Sequence, residues 1–282
     1  MRTIAQTLRQ NRERLSRLPD NDPRLEAEIL LASVLEKPRT YLLAWPEREL
    51  TADQQARLDD LIERRLRGEP VAYLTGRREF WSLDLTVTPA TLIPRPETEL
   101  LVELALELIP ADAGWRIADL GTGSGAIAAA IAAARPGCSI TATDTSAEAL
   151  AVAENNFRKL GFANITTACG IWYTALAKEE RFDLLVSNPP YVAEDDPHLQ
   201  QGDLPHEPRA ALAAGPDGLN DLRQIIAEAP RHLTPGGWLL LEHGFEQGAE
   251  VRRLLQAAGF TEITTHRDLA GLERVSAGRF TS

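Results

Sequence analysis

The sequence predicts an α/β protein: a doubly wound, mainly parallel seven-stranded sheet, preceded by a small N-terminal helical domain and a linking β-hairpin. Three observations carry this. Apolar residues recur at helical spacing through residues 3–68. The period shifts to that of short strands near residues 78–87. From Trp115 onward strand-like and helix-like segments alternate, the pattern of parallel strands joined by crossover helices.

The N-terminal helices are marked by Ile4, Leu8, Leu15 and Leu18, then Leu25, Ile29, Leu30, Val34 and Leu35, then Leu58, Leu61, Ile62 and Leu66. Pro23, Pro38 and Pro46 punctuate them, and Thr51-Ala52-Asp53 reads as a helix start. Arg9, Arg12, Arg14, Arg64, Arg65 and Arg67 form either a basic docking face or a solvated helix surface. Residues 1–75 are expected to form this domain, 76–93 the linker and 94–282 the α/β domain. Within the linker, Arg78–Trp81 and Leu83–Val87 are the two hairpin strands. Pro96 then suits a first helical turn, with Glu97 and Glu99 near its positive end and Leu101, Leu104 and Leu108 facing the core.

The sheet strands are expected at Arg116–Leu120, Ser139–Asp144, Ile165–Cys169, Phe182–Ser187, Trp238–Glu242, Glu262–Arg267 and Arg274–Phe280. Helices are expected over Gly125–Ala134, Ser146–Leu160, Asn220–His232 and Glu246–Ala258.

Composition narrows the function. A chain of 282 residues with 44% apolar and 25% charged residues is that of an ordinary soluble protein. A net charge of -11 argues against stable clamping of a nucleic-acid backbone. No run approaches the roughly 20 apolar residues of a membrane span, and MRTIAQTLRQ lacks a signal-peptide core, so a cytoplasmic protein with no membrane partner is expected. Two cysteines and five histidines without ligand spacing predict no metal site.

Two stretches carry chemistry. Asp119-Leu120-Gly121-Thr122-Gly123-Ser124-Gly125 lies between a strand and a helix, where open α/β sheets bind ligands. Its glycines permit close backbone approach, but the spacing is GxGxG rather than GxGxxG and no Walker lysine follows. Asp144, about 20 residues on, suits a pair of ribose hydroxyls; taken singly it would suit a helix cap, a task Ser146 could share. Trp172, beyond the third strand, is placed to stack on a base or simply to pack. In the second stretch, Asn188-Pro189-Pro190-Tyr191, the prolines force the fourth strand to leave its sheet. The Asn188 side chain and an adjacent carbonyl can grip a planar NH2 group, with Tyr191 covering the plane.

These stretches, together with Tyr73-Leu74-Thr75-Gly76, Glu79-Phe80-Trp81, Leu92-Ile93-Pro94-Arg95-Pro96-Glu97-Thr98-Glu99, His206-Glu207-Pro208, Gly215–Leu219 and Glu242-His243-Gly244, resemble the release factor N5-glutamine methyltransferases over nearly the whole chain. The resemblance implies a Rossmann-like class I methyltransferase that uses S-adenosyl-L-methionine and yields S-adenosyl-L-homocysteine. It implies that Gly121, Thr122, Gly123, Ser124 and Gly125 line the methionine part, Asp144 holds the ribose and Trp172 lies by the adenine. It further implies that Asn188 meets both cofactor and substrate, and that Pro189, Pro190 and Tyr191 complete a glutamine pocket. Asn188, Pro189 and Tyr191 are therefore the catalytic candidates. Ile171 departs from the acidic residue that relatives place before this tryptophan, so an adenine contact is missing or supplied elsewhere.

On this reading the substrate is the glutamine of a Gly-Gly-Gln motif in bacterial peptide-chain release factors, methylated at its side-chain amide, and the enzyme is a monomer. The alternatives are a glutamine methyltransferase of ribosomal protein, an adenine-N6 nucleic-acid methyltransferase, a nicotinamide-dependent dehydrogenase, and a binding module retaining only the nucleoside pocket.

Overall fold

The computed structural model describes residues 2–19 and 21–281. The chain forms two compact units: residues up to Arg77 together with Gln200–His206, and Arg78–Leu199 together with residues from Glu207 onward.

The first unit is helical: α1 (Ile4–Leu15), α2 (Pro23–Leu35), α3 (Arg39–Ala44), α4 (Ala52–Leu66) and α5 (Val71–Thr75). Its helix starts are chemically marked. Thr3 with Gln6 and Thr51 with Gln54 form reciprocal capping boxes, and Asp22 caps α2 with Pro23 in its first turn. Ile4, Leu15, Leu30, Leu31, Leu58 and Ile62 fill the core. Arg65 is buried and forms a two-pronged pair with Glu26 at 2.9 Å on each prong, plus a bond to Asp203 at 3.1 Å. Arg64 pairs with Glu69, and Arg14 with Asp59 and Glu63. These three arginines are engaged in ion pairs with acidic side chains of the same unit.

A hairpin of β1 (Arg77–Phe80) and β2 (Leu83–Thr86) follows. Its two turn residues, Trp81 and Ser82, both take positive φ, at 52° and 60°, as a tight hairpin turn demands. Two carboxylates hold that turn: Glu99 accepts from Trp81 N at 2.8 Å and Glu79 from Ser82 N at 2.7 Å.

The second unit continues with α6 (Glu99–Leu108), β3 (Arg116–Leu120), α7 (Ala126–Ala134), β4 (Ser139–Asp144), α8 (Ala147–Leu160), β5 (Ile165–Cys169) and β6 (Phe182–Ser187). It ends with α9 (Asn220–Glu228), β7 (Leu233–Glu242), α10 (Gly248–Ala257), β8 (Thr261–Arg267) and β9 (Glu273–Arg279). Seven strands lie in the order β5-β4-β3-β6-β7-β9-β8. The pairs from β5 to β7 are parallel, and β9 runs antiparallel to both neighbours. One face packs on α6, the alanine-rich α7 and hairpin residues Phe80 and Leu85. The other packs on α9 and α10 through Leu222, Ile225, Ile226, Val251 and Leu255. This is the class I methyltransferase fold.

Two boundaries differ from the sequence reading by more than two residues. Strand β7 begins at Leu233 instead of Trp238, because the chain passes Pro235-Gly236-Gly237 as a bulge, seen as the register shift between Phe182 and Leu184. Helix α9 ends at Glu228, and Pro230 carries the chain on as a tighter 3-10 turn.

Candidate active site

Strand order reverses between β3 and β6, since β4 and β5 lie to one side and β7 to the other. Ligands of open α/β sheets bind at the carboxyl ends of strands at such a point. Both chemical stretches emerge there: the glycine turn from β3 and Asn188-Pro189-Pro190-Tyr191 from β6. Between them opens a cavity of about 480 Å³, lined on one side by Gly121, Thr122, Gly123 and Ser124. Asp144, Trp172, Asn188 and Pro190 complete the portion predicted from sequence.

The glycine turn is committed to the protein itself. Gly121 N and Thr122 N donate to Thr143 O, Gly123 N to Asp144 Oδ2, and Gly125 N to Thr122 O. Those N–H groups are not left pointing at a ligand as a phosphate cradle requires, which speaks against a dinucleotide site. Gly121 has φ 76° and faces Trp172 so closely that a Cβ there would sit 3.1 Å from the indole ring. Gly125 stands apart from the other four residues of the turn. It caps α7 and packs on α8, where a Cβ would lie 2.5 Å from the Phe157 ring, and it is not among the cavity-lining residues.

Ser146, not Asp144, caps α8, accepting from Ala149 N at 3.1 Å. The Asp144 carboxylate instead braces Gly123 N and Ser146 N, both at 2.9 Å, and lines the cavity. Asp119 lies beneath the turn, completely buried, accepting from Thr122 Oγ1 at 2.6 Å and Ala128 N at 3.2 Å. Its Oδ1 has no hydrogen-bond partner, and desolvation pushes its pKa up to about 7.

Trp172 adopts a left-handed backbone, φ 47°, immediately after Ile171, which is exposed at the cavity wall. An acidic group does reach this wall, but from α9: Asp221 lines the cavity and has its pKa raised by burial.

At the other end, Asn188 Nδ2 donates to Thr98 Oγ1 at 3.1 Å. Its Oδ1 is thus the atom left to face a ligand. Pro189 is buried and, like Tyr191, lies outside the cavity lining, whereas Pro190 lines it. Tyr191 donates its hydroxyl to Glu242 Oε1 at 3.1 Å, and burial pushes its phenol well above the ordinary range.

Three residues important to this geometry are ones sequence reasoning gave no role. Glu207 accepts from Ile93 N at 2.9 Å and pairs with Arg95, fixing the linker that supplies Pro94 and Arg95 to the cavity wall. Asn156 on α8 ties the hairpin to the glycine turn, and Glu242 backs Tyr191. The His206-Glu207-Pro208 and Glu242-His243-Gly244 stretches were visible as motifs, but their partners lie far away in sequence. Among the described residues no group of three or more His, Cys, Asp and Glu side chains is arranged to hold a metal ion, and no helix is long and apolar enough to cross a membrane.

The chain is similar to known proteins over most of its length. Residues 6–76 match the family model described as the PrmC N-terminal domain, and residues 97–203 match the methyltransferase small domain. The chain is 52% identical over 270 residues to the release factor glutamine methyltransferase of Salmonella typhimurium, covering 95% of this chain and 97% of that protein. It is 51% identical over 266 residues to the release factor glutamine methyltransferase of Pseudomonas aeruginosa, covering 94% and 96%. A methyltransferase structure from Pyrococcus furiosus superposes with a TM-score of 0.54 at 19% identity, covering 82% of this chain and all of that one; it shares the fold.

Proposed function

We propose, from the premise that this chain belongs to the release factor glutamine methyltransferase family, that it methylates the side-chain amide nitrogen of a glutamine in bacterial peptide-chain release factors. The observation that carries the reading is the fixed amide of Asn188, whose NH2 is held by Thr98 while its carbonyl oxygen remains for the substrate.

The cavity fits the cofactor this family name implies. A volume of about 480 Å³ falls in the range of small-molecule sites, roughly 300–1,000 Å³. Its wall offers glycine backbone for close approach, a carboxylate for hydroxyl groups and an indole for a flat base. When bound, S-adenosyl-L-methionine supplies a methyl group made electrophilic by its sulfonium and leaves as S-adenosyl-L-homocysteine. Gly121 to Ser124 would border the methionine portion, Asp144 would accept from the ribose hydroxyls, and Trp172 would lie along the adenine.

A glutamine amide nitrogen is a poor nucleophile because its lone pair is delocalised into the carbonyl. Asn188 Oδ1 and the Pro189 carbonyl can accept its two N–H bonds, which favours a tetrahedral nitrogen and turns the pair toward the incoming methyl. The nitrogen would supply both electrons of the new N–C bond while the pair of the methyl–sulfur bond stays on the departing sulfur, and the strongly acidic N-protonated amide would then lose one proton to water. Positioning and oriented dipoles therefore supply most of the acceleration. Pro190 and Tyr191 would shape the pocket around the amide.

The glutamine is assigned to a Gly-Gly-Gln motif, residues 1–75 to partner recognition, and the enzyme to the cytoplasm as a monomer acting on translation termination. The net charge of -11 supports a protein substrate over a stably held nucleic acid. Incubating the purified chain with labelled cofactor and, separately, release factor, ribosomal protein, DNA and RNA tests the assignment. Label is expected in release factor; label in one of the others selects that rival instead.

A further inference from the structure

Two stretches visible as motifs, Gly215–Leu219 and Glu242-His243-Gly244, have no part in the reading above, and both close on one side chain. Gln247 lies at the start of α10. Its Oε1 accepts from Gly244 N at 2.9 Å. Its Nε2 donates to Tyr191 O at 3.0 Å, to Gly218 O at 3.2 Å and to Asp217 O at 3.3 Å.

This amide fits only one way round. Gly244 N is a donor and the three carbonyls are acceptors, so a flipped amide would set NH2 against N–H and oxygen against oxygen. The approach is close on both sides. A Cβ on Gly218, whose φ is 70°, would sit 2.2 Å from Tyr191 O, and one on Gly244 would sit 3.1 Å from Gln247 Oε1. His243, fully buried, bonds Gly244 O through Nδ1 at 2.9 Å and Ser276 Oγ through Nε2 at 2.8 Å, which steadies the Gly244 peptide.

The chain after β6 needs such a hold. Pro189 and Pro190 have no N–H, so the segment between Asn188 and Tyr191 has no donors of its own to fix it. It is fixed at its ends. Asn188 bonds Thr98 Oγ1 at 3.1 Å, and Tyr191 is held by its hydroxyl on Glu242 Oε1 at 3.1 Å and by its carbonyl on Gln247.

We propose that Gln247 is a positioning residue for methyl transfer: by anchoring the Tyr191 carbonyl it sets where the Pro189 carbonyl and Pro190 stand against the substrate amide. The inference rests on the glutamine reading above for what those groups face, but the clamp itself is a property of the free enzyme.

Gln247→Glu and Gln247→Met, made in the full chain and assayed with release factor, test this. Ionised, the first keeps an oxygen for Gly244 N but turns a second oxygen on the three carbonyls; the second keeps the length of the side chain without any N–H. Each is expected to lower kcat roughly 10- to 100-fold at neutral pH, the scale for a small displacement of a reacting group. Affinity for S-adenosylhomocysteine should hold, since the glycine turn, Asp144 and Trp172 stand on other strands. A kcat within about twofold of wild type in either variant overturns the proposal.

Protonation separates the donor from the shape of the side chain. The neighbouring carbonyls hold the introduced carboxyl above its usual value of about 4.3, and protonating it restores one donor, so kcat of Gln247→Glu relative to wild type should rise as pH is lowered from about 8 to about 5. The relative kcat of Gln247→Met should stay flat. The charged and titratable groups around the clamp are Asp217, paired with Arg223 before α9, Tyr191, Glu242 and His243 at the end of β7, Glu250 on α10, and Glu273 on β9 beside Gly248. All are common to the three proteins, so the ratio to wild type cancels their own titration. The same pH response in both variants overturns the proposal.

A substrate-free readout separates this inference from the function it rests on. In labelled protein, NMR should show the Gln247 side-chain amide protons protected from exchange in wild type. The amide nitrogen of Val192, which shares a peptide bond with the Tyr191 carbonyl, should shift in both variants. Rapid exchange in wild type, or a Val192 signal that moves in neither variant, overturns the proposal whatever the substrate proves to be. Failure of wild type to label release factor, with these signals intact, would instead count against the substrate assignment alone.

Discussion

Asn156 and Thr86, 70 residues apart, exchange a matched pair of hydrogen bonds: Thr86 N donates to Asn156 Oδ1 at 2.8 Å, and Asn156 Nδ2 donates to Thr86 O at 2.9 Å. The same Nδ2 also donates to Ser124 O at 2.8 Å, so one fully buried amide joins the hairpin, α8 and the glycine turn. Replacing it by Ala strands Thr86 N, Thr86 O and Ser124 O. The expected loss is about 2–4 kcal/mol, from buried polar groups left without partners. Chemical denaturation measures it, and calorimetry with S-adenosylhomocysteine should show weaker binding as the Ser124 backbone loosens.

Glu207 holds the linker. Removing its carboxylate in Glu207→Ala leaves Ile93 N unpaired and frees Arg95, whose side chain is 29% exposed and can turn to water. The cost in stability is expected at about 1–3 kcal/mol. Cofactor affinity should fall with it, because Pro94 and Arg95 form part of the cavity wall. Unchanged affinity would mean that the wall holds its shape without the clamp.

Asp119 and Glu242 contribute a fall in stability as pH rises from about 4 to about 7, against the opposite slope of His232 and His243, whose pKa values burial lowers. Asp119 and Glu242 have folded-state pKa values raised to about 7, from 3.8 and 4.5, by desolvation. Between those limits these two groups bind more protons in the folded state than in the unfolded chain, so their share of the slope of unfolding free energy with pH is negative, about 1.4 kcal/mol per unit for each group fully in that window. Their contribution is complete below the unfolded values and is lost on passing the folded ones. Carboxylates lowered by arginine partners, such as Glu28 and Glu69, change their contribution at lower pH. Asp119→Asn and Glu242→Gln should each flatten the slope when denaturation midpoints are compared from pH 4 to 8.

What sequence made legible was local or periodic. The alternation from Trp115 onward foretold the sheet because each strand and helix carries its own pattern, and the glycine turn and Asn188-Pro189-Pro190-Tyr191 announced themselves by backbone demands that few other residues meet. Capping was legible too: Ser146 was visible as a candidate, and only its bond to Ala149 N left Asp144 for the cavity. What stayed hidden was long-range pairing. Nothing near Asn156 indicates Thr86, and nothing near Glu207 indicates Ile93, since those bonds exist only after the chain folds back across 70 and 114 residues. Gly125 illustrates the limit from the other side. Its place in the motif suggested ligand contact, while its backbone packs against Phe157.

The most direct measurement is tandem mass spectrometry of the Gly-Gly-Gln peptide of a release factor incubated with cofactor and either wild-type chain or Asn188→Ala, with circular dichroism confirming that both are folded. Wild type should add one methyl group to the glutamine side-chain amide. Asn188→Ala should lower that rate by about 100-fold or more, the scale for losing a group that stabilises developing charge. A methyl group found on any other residue, or one added at an undiminished rate by folded Asn188→Ala, would contradict the account.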